Sequence, residues 1–294
     1  MRIPDDVSLL APQVRFAPGF VRRLEELSAR LSAASSREEG AGRGVLAGAG
    51  DEFVGHRPYR PGEELRHVDW ALLARLDRPF VRVHRREAGE RWWILLDASA
   101  SMGLGEPGKL QRAAEVASGL AVVGLRSGAR VRLVASDGAF PSFELSRRSE
   151  LRGWLAFLEG RRASGEPGLR ALVDHARARI ERGTGRVFLI GDLLDLEPRE
   201  ALSLARPGRE LVAVQVLAPH ELAPPEGDVE WLDPEGGARV AVALDERSRV
   251  AYAQLLEARL EAWRGSFARH RAAYGSWSSA VPFEEIVRGA LARA

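Results

Sequence analysis

The sequence predicts an α/β fold in which a mainly parallel sheet is flanked by helices. Two observations carry that expectation. Short apolar runs, Trp92–Asp97 (WWILLD), Arg186–Asp192 (RVFLIGD) and Glu210–Leu217 (ELVAVQVL), have the length and apolar content of strands buried on both faces. Between them lie segments whose apolar residues recur at helical spacing, and strand–helix alternation of this kind builds parallel sheets. The bulk composition agrees: 294 residues, 45% hydrophobic and 29% charged, suffice for one large globular domain or two modest ones.

Residues 1–40 read as an N-terminal helical segment, since Phe20, Leu24, Leu27 and Leu31 predict an amphipathic helix over 17–38. Residues 41–91 follow a Gly/Ala-rich break. They mix turn signals (Arg57-Pro58, Arg60-Pro61-Gly62) with the alternation Phe80-Val81-Arg82-Val83-His84, so this segment is β-containing. Residues 92–220 hold the main body. Its strand Trp92–Asp97 leads to a helix over Lys109–Arg126 that is apolar on nearly every face. Strands over Arg130–Ser136 and Ser142–Leu145 come next, then helices over 148–160 and 169–182, and the two remaining apolar runs. Residues 221–294 are expected to pack on the same body as a hairpin over Val229–Leu244, a long helix over Asp245–Tyr274 and a closing helix over 282–292. Trp92 and Trp93 adjoin on one strand and so face opposite sides of the sheet. Tyr59 and Trp70 are assigned to the core, and His56, His67 and His84 to structural roles.

Charge and composition narrow the function. The net charge is +2, from 43 basic and 41 acidic residues, and Lys109 is the single lysine. A nucleic-acid binder would carry bases without balancing acids, so none is expected as a partner. With no cysteine, disulfides, zinc–thiolate sites and thiol nucleophiles are excluded. No stretch approaches the roughly 20 apolar residues of a membrane span. Residues Met1–Leu10 lack the apolar core of a signal peptide, and the chain is read as cytoplasmic.

The chemistry gathers where strands end, because open α/β sheets bind ligands outside the carboxyl ends of their strands. The first apolar run ends at Asp97 and continues Ala98-Ser99-Ala100-Ser101; a later one ends at Asp192. Alanines separate three oxygen-bearing side chains at i, i+2 and i+4, so an extended loop points all three the same way. One carboxylate and two hydroxyls, with Asp192 directly or through water, suit a hard cation such as Mg²⁺ or Mn²⁺ and leave coordination positions open. The Gly103-Leu104-Gly105-Glu106-Pro107-Gly108 spacing imitates a dinucleotide loop. It follows the strand too late, and Asp97 would repel a pyrophosphate, so it reads as a turn. Ser101, Asp192 and His220 run in the order of an α/β-hydrolase triad, but the Gly-x-Ser-x-Gly elbow is missing. No catalytic constellation is recognised.

Asp97-x-Ser99-x-Ser101 after a buried strand, with a later strand-end Asp192, resembles the metal-ion-dependent adhesion site of von Willebrand A domains. The preceding Arg57-Pro58-Tyr59-Arg60-Pro61-Gly62-Glu63-Glu64-Leu65-Arg66-His67-Val68-Asp69-Trp70, with Ala74-Arg75, Glu87 and the later Asp233-Pro234-Glu235, is similar to the signature of the bacterial domain-of-unknown-function 58 family. That resemblance covers about residues 43–290. It implies a von Willebrand A-type, Rossmann-like sheet over 92–220 and a cation-dependent protein–protein interaction, adaptor or chaperone-like. The partner it implies is a MoxR-type AAA+ ATPase, engaged through an acidic side chain. The threonine usual in von Willebrand A sites is absent: the chain reads Ser164-Gly165-Glu166-Pro167-Gly168. Either Ser164 or Glu166 stands in for it, or the site is degraded and the domain is purely structural. A metal-assisted hydrolase using the same cation is the other competing reading.

Overall fold

A computed structural model describes residues 13–39, 52–58, 69–76, 78, 80–85, 90–164, 168–180, 185–232 and 239–293. Tyr59, His67, Glu166 and the hairpin turn at 233–238 lie outside the described residues. The chain begins with helix α1 (Phe20–Glu39), then pairs β1 (Glu52–Pro58) antiparallel with β2 (Phe80–Arg85), α2 (Trp70–Leu76) lying between them. β3 (Arg91–Leu96), α3 (Lys109–Arg126), β4 (Arg130–Ala135) and β5 (Ser142–Leu145) follow, and then α4 (Leu151–Glu159), α5 (Gly168–Arg179), β6 (Gly185–Gly191) and α6 (Pro198–Leu202). β7 (Arg209–Leu217) and the short α7 (Pro219–Leu222) precede a second antiparallel hairpin, β8 (Gly227–Leu232) with β9 (Arg239–Leu244). The chain closes through α8 (Glu246–Arg269), β10 (Ala273–Ser278) and α9 (Phe283–Leu291).

The central sheet has six strands in the order β10-β7-β6-β3-β4-β5, all parallel except the edge strand β5. The α/β class with a mainly parallel sheet is as the sequence predicts. Strand periodicity divides the core in two. Trp92, Ile94 and Leu96 join one apolar cluster with Phe188, Ile190, Val212, Val214 and Val216, beneath α1, α3, α4 and α9. Trp93, Leu95, Val187, Leu189, Leu211 and Ala213 join the other, beneath α5, α6 and α8. Successive side chains on a strand point to opposite faces, so each central strand serves both clusters and has to be apolar throughout.

α3 spans the residues that its apolar pattern predicts and sits deepest of the helices. Its small residues let it approach: a Cβ on Gly124 would lie 2.6 Å from the Trp92 ring. The predicted helix over 148–160 is a 3₁₀ turn, Arg148–Glu150, followed by α4.

Two expectations are corrected. The helix expected to run to Tyr274 ends at Arg269. After Arg271, whose φ is +53°, the chain forms β10 in parallel register with β7. The sheet therefore takes its sixth strand from beyond residue 220, where the sequence reading placed only a hairpin and helices. The cause is tertiary: Tyr274 is drawn onto Trp263 and Phe267, with ring centroids 5.5 and 6.0 Å away. Trp70, assigned to the core, is 60% exposed at the start of α2. Among the described residues, no helix is long and apolar enough to cross a membrane.

Candidate metal site

Asp97 and Asp192 follow neighbouring parallel strands, β3 and β6, at the carboxyl edge of the sheet. The Asp97 amide continues the ladder, donating to the Ile190 carbonyl at 2.8 Å. The approach is close enough to demand glycine next door: a Cβ on Gly191 would lie 2.6 Å from Asp97 Cβ and 2.7 Å from its Oδ2. Ser99 is extended (φ −59°, ψ 164°), and the chain then tightens into a 3₁₀ turn, Ala100–Gly103. The loop is thus not extended throughout, as the sequence reading assumed. Even so the turn brings Ser101 Oγ to 3.1 Å from Ser99 Oγ, so the hydroxyls share one side.

Hydrogen bonds set the Asp97 carboxylate. Its Oδ1 accepts from the Ser99 amide at 3.0 Å and from Ser136 Oγ at 3.3 Å. Ser136 Oγ in turn accepts from the Ala98 amide at 2.8 Å, tying the end of β4 to the loop. Ser164 reaches the same loop by backbone, its amide donating to the Ala98 carbonyl at 2.8 Å. Of the two stand-ins for threonine, Ser164 therefore lies beside the loop; Glu166 is outside the described residues.

Electrostatics are decided by burial. Asp97, Asp192 and Lys109 are each no more than 2% exposed. Burial, and next the Asp192 carboxylate, push the Asp97 carboxyl up to about 7, although its hydrogen bonds oppose the shift. Lys109 Nζ donates to Asp192 Oδ2 at 2.8 Å and to Glu221 Oε1 at 2.6 Å. Burial works against the Lys109 charge, but the two carboxylates outweigh it and hold the ammonium above its ordinary range. Asp192 Oδ1 accepts from the Leu194 amide at 3.2 Å, and its carbonyl from Gln215 Nε2 at 2.5 Å. Gln215 Oε1 accepts from the Tyr274 hydroxyl, so β10 supports the site from the far side. Glu221 is held likewise: Oε2 accepts from the Ala218 amide at 2.6 Å, and its carbonyl from the Tyr252 hydroxyl at 2.7 Å.

The structure brings together Asp97, Ser99, Ser101 and Asp192. Among the described residues, no group of three or more His, Asp or Glu side chains is placed to share a metal. Any ion here would depend on the serine hydroxyls as well as the carboxylates, a hard-oxygen set. The charges fit a divalent ion. With Asp97 ionised, the carboxylates of Asp97, Asp192 and Glu221 exceed the single Lys109 ammonium by two. A triad does not assemble: His220 is exposed on α7, while Ser101 pairs with Ser99. The Gly103–Gly108 segment is a turn into α3, its Gly105 at φ +95°.

Sequence reasoning missed Lys109, Glu221, Ser136 and Gln215 as parts of the site. One signal was available for the first: a chain that uses arginine for nearly every base keeps one lysine, directly after the site loop.

A family model described as "Protein of unknown function DUF58" matches residues 55–261. An uncharacterized protein of Mycobacterium tuberculosis is 29% identical over 223 residues, covering 72% of this chain and 69% of its own; one from Mycobacterium bovis matches to the same extent. Among solved structures, an aerotolerance-related membrane protein from Bacteroides fragilis is similar at 18% identity and a TM-score of 0.42, over 70% of this chain and all of that one. The VWA domain of SpRpn10 is similar at 9% identity and a TM-score of 0.38, over 67% of this chain and 93% of its own.

Proposed function

The chain belongs to the family described as Protein of unknown function DUF58, and on that premise we propose that it is a divalent-cation-dependent protein–protein interaction module of von Willebrand A type. The observation that supports this reading is the meeting of two buried carboxylates, Asp97 and Asp192, at adjacent strand ends, with Ser99 and Ser101 beside them. Two like charges held out of water raise each other's energy, and a bound cation relieves that cost.

Asp97, Ser99 and Ser101 would hold Mg²⁺ or Mn²⁺, with Asp192 contributing directly or through water. When bound, the ion supplies an open coordination position for an Asp or Glu side chain of a partner. The protein's own groups prepare that state. Ser136 and the Ser99 amide fix the Asp97 carboxylate, and the Ala100–Gly103 turn keeps both hydroxyls aligned. Ser164, whose amide docks on the same loop, is the nearest replacement for the missing threonine. We propose a MoxR-type AAA+ ATPase as the partner, met in the cytoplasm in an adaptor or chaperone-like role.

Thermal melting of the chelator-stripped chain, with Mg²⁺ or Mn²⁺ added back, tests the site. We expect each ion to raise the melting temperature of the wild type and to leave Asp97→Ala unmoved. Pull-down of the ATPase should be lost in chelator and restored by Mn²⁺. A wild type whose melting neither ion shifts would overturn the reading.

A further inference from the structure

We propose that Lys109 is a tethered cation that weakens the site's hold on a divalent ion, by keeping a positive charge bonded to Asp192 and Glu221 whether or not metal is present. The proposal rests on the metal reading above and concerns what sets the strength of that site.

Three observations carry it. Lys109 is the only lysine of the chain, and it is fully buried at the first position of α3, one residue past the loop that begins at Asp97. Its ammonium lies between two carboxylates, 2.8 Å from Asp192 Oδ2 and 2.6 Å from Glu221 Oε1. A compact ammonium with three rotatable donors suits such a gap, whereas the broad planar guanidinium used elsewhere in the chain does not. Finally, both Asp192 oxygens already accept a hydrogen bond, Oδ2 from Lys109 and Oδ1 from the Leu194 amide. Asp192 therefore meets an ion with part of its charge already spoken for.

Two consequences follow. Without metal, Lys109 compensates Asp192 and Glu221, so the site stays assembled. With metal, the ammonium and the ion repel across a low-dielectric interior where screening is poor. The site is built for reversible capture, and Lys109 sets its affinity by charge rather than by touching the ion.

Calorimetric titration of the chelator-stripped full chain with Mn²⁺, alongside melting curves in chelator, tests this on the wild type, Lys109→Met, and Lys109→Met with Glu221→Gln. We expect Lys109→Met to bind Mn²⁺ at least tenfold more tightly than wild type, yet to melt lower when metal-free. The double variant removes one charge of each sign. The net charge is then unchanged, but the ammonium bonded Asp192 directly, whereas Glu221 met Asp192 only through the ammonium. The double variant should therefore melt between the other two and still bind more tightly than wild type; it carries the test if Lys109→Met does not fold. Binding by a folded variant that is no tighter than wild type overturns the proposal. If the wild type takes no Mn²⁺ while a Lys109 variant does, the tethered cation stands and the native metal reading falls. If neither wild type nor variants take Mn²⁺, both fall.

Discussion

Asp97 accepts hydrogen bonds from Ser99 and Ser136 while facing Asp192, and the balance of these effects makes a pH prediction. Burial and the facing Asp192 push its carboxyl up to about 7 in the folded chain, from an ordinary 3.8. Between those values the folded state binds more protons than the unfolded one, so stability falls as pH rises through that window. In chelator, the melting temperature should decline from pH 5 to pH 8, and Asp97→Asn should flatten that decline. Mn²⁺ competes with the same proton, so its affinity should strengthen as pH rises toward 7, a trend calorimetry at stepped pH would show. Gly191 makes a second prediction. Gly191→Ala drives a Cβ into Asp97, and the local overpacking should cost about 1–3 kcal/mol in urea denaturation, with the Mn²⁺-induced melting shift reduced. At this scale the i, i+2, i+4 spacing exposed the three oxygen-bearing loop residues, Asp97, Ser99 and Ser101, in the sequence. Ser136, Lys109 and Glu221 stayed hidden because they come from other elements, up to 124 residues from Asp97 (221 minus 97).

Elements whose pattern is local and strong were legible. α3 is apolar around most of its circumference and buried over most of its length, a helical pattern that local spacing shows directly. β3, β6 and β7 alternate between two cores, so they too are apolar throughout. β10 was misread because its six residues, Ala273–Ser278, follow a long helix without a proline or glycine break at the junction. What makes them a strand is the open edge of β7, which no local window contains. α9 was expected, and its packing makes a prediction. Phe283, fully buried against α1 and α3, packs tilted against Phe20 with ring centroids 5.2 Å apart and lies 3.4 Å from where a Gly119 Cβ would stand. Phe283→Ala should cost about 3–5 kcal/mol in denaturant unfolding, with Mn²⁺ binding retained by the fraction that remains folded.

Among the described residues one six-stranded sheet lies between two helical layers, with two hairpins outside it, and the sheet's last strand and the helix after it are as integral as its first. Removing residues 270–294 would uncover the β7 edge and strip Phe283, Ile286, Val287 and Leu291 from the larger core. It would also remove Tyr274, which fixes Gln215 behind Asp192. That truncation should show no cooperative thermal transition by far-UV circular dichroism, even though everything up to residue 220 is intact. The same architecture explains why the site lies where it does. β3, β4 and β6 end side by side, so Asp97, Ser136 and Asp192 meet although 95 positions separate the first from the last (192 minus 97).

From local pattern the sequence determined the α/β class, the buried strands, the deep helix and the cluster of loop oxygens at Asp97, Ser99 and Ser101. These follow from periodicity and spacing, which act within a window of a few residues. Tertiary structure alone decided the strand order, the sixth strand, the exposure of Trp70 and the pairing of Lys109 with Asp192 and Glu221. Those depend on which surfaces are left open once the sheet closes. A buried ammonium, in particular, is stable only where distant segments deliver carboxylates to it, and no spacing along the chain records that meeting.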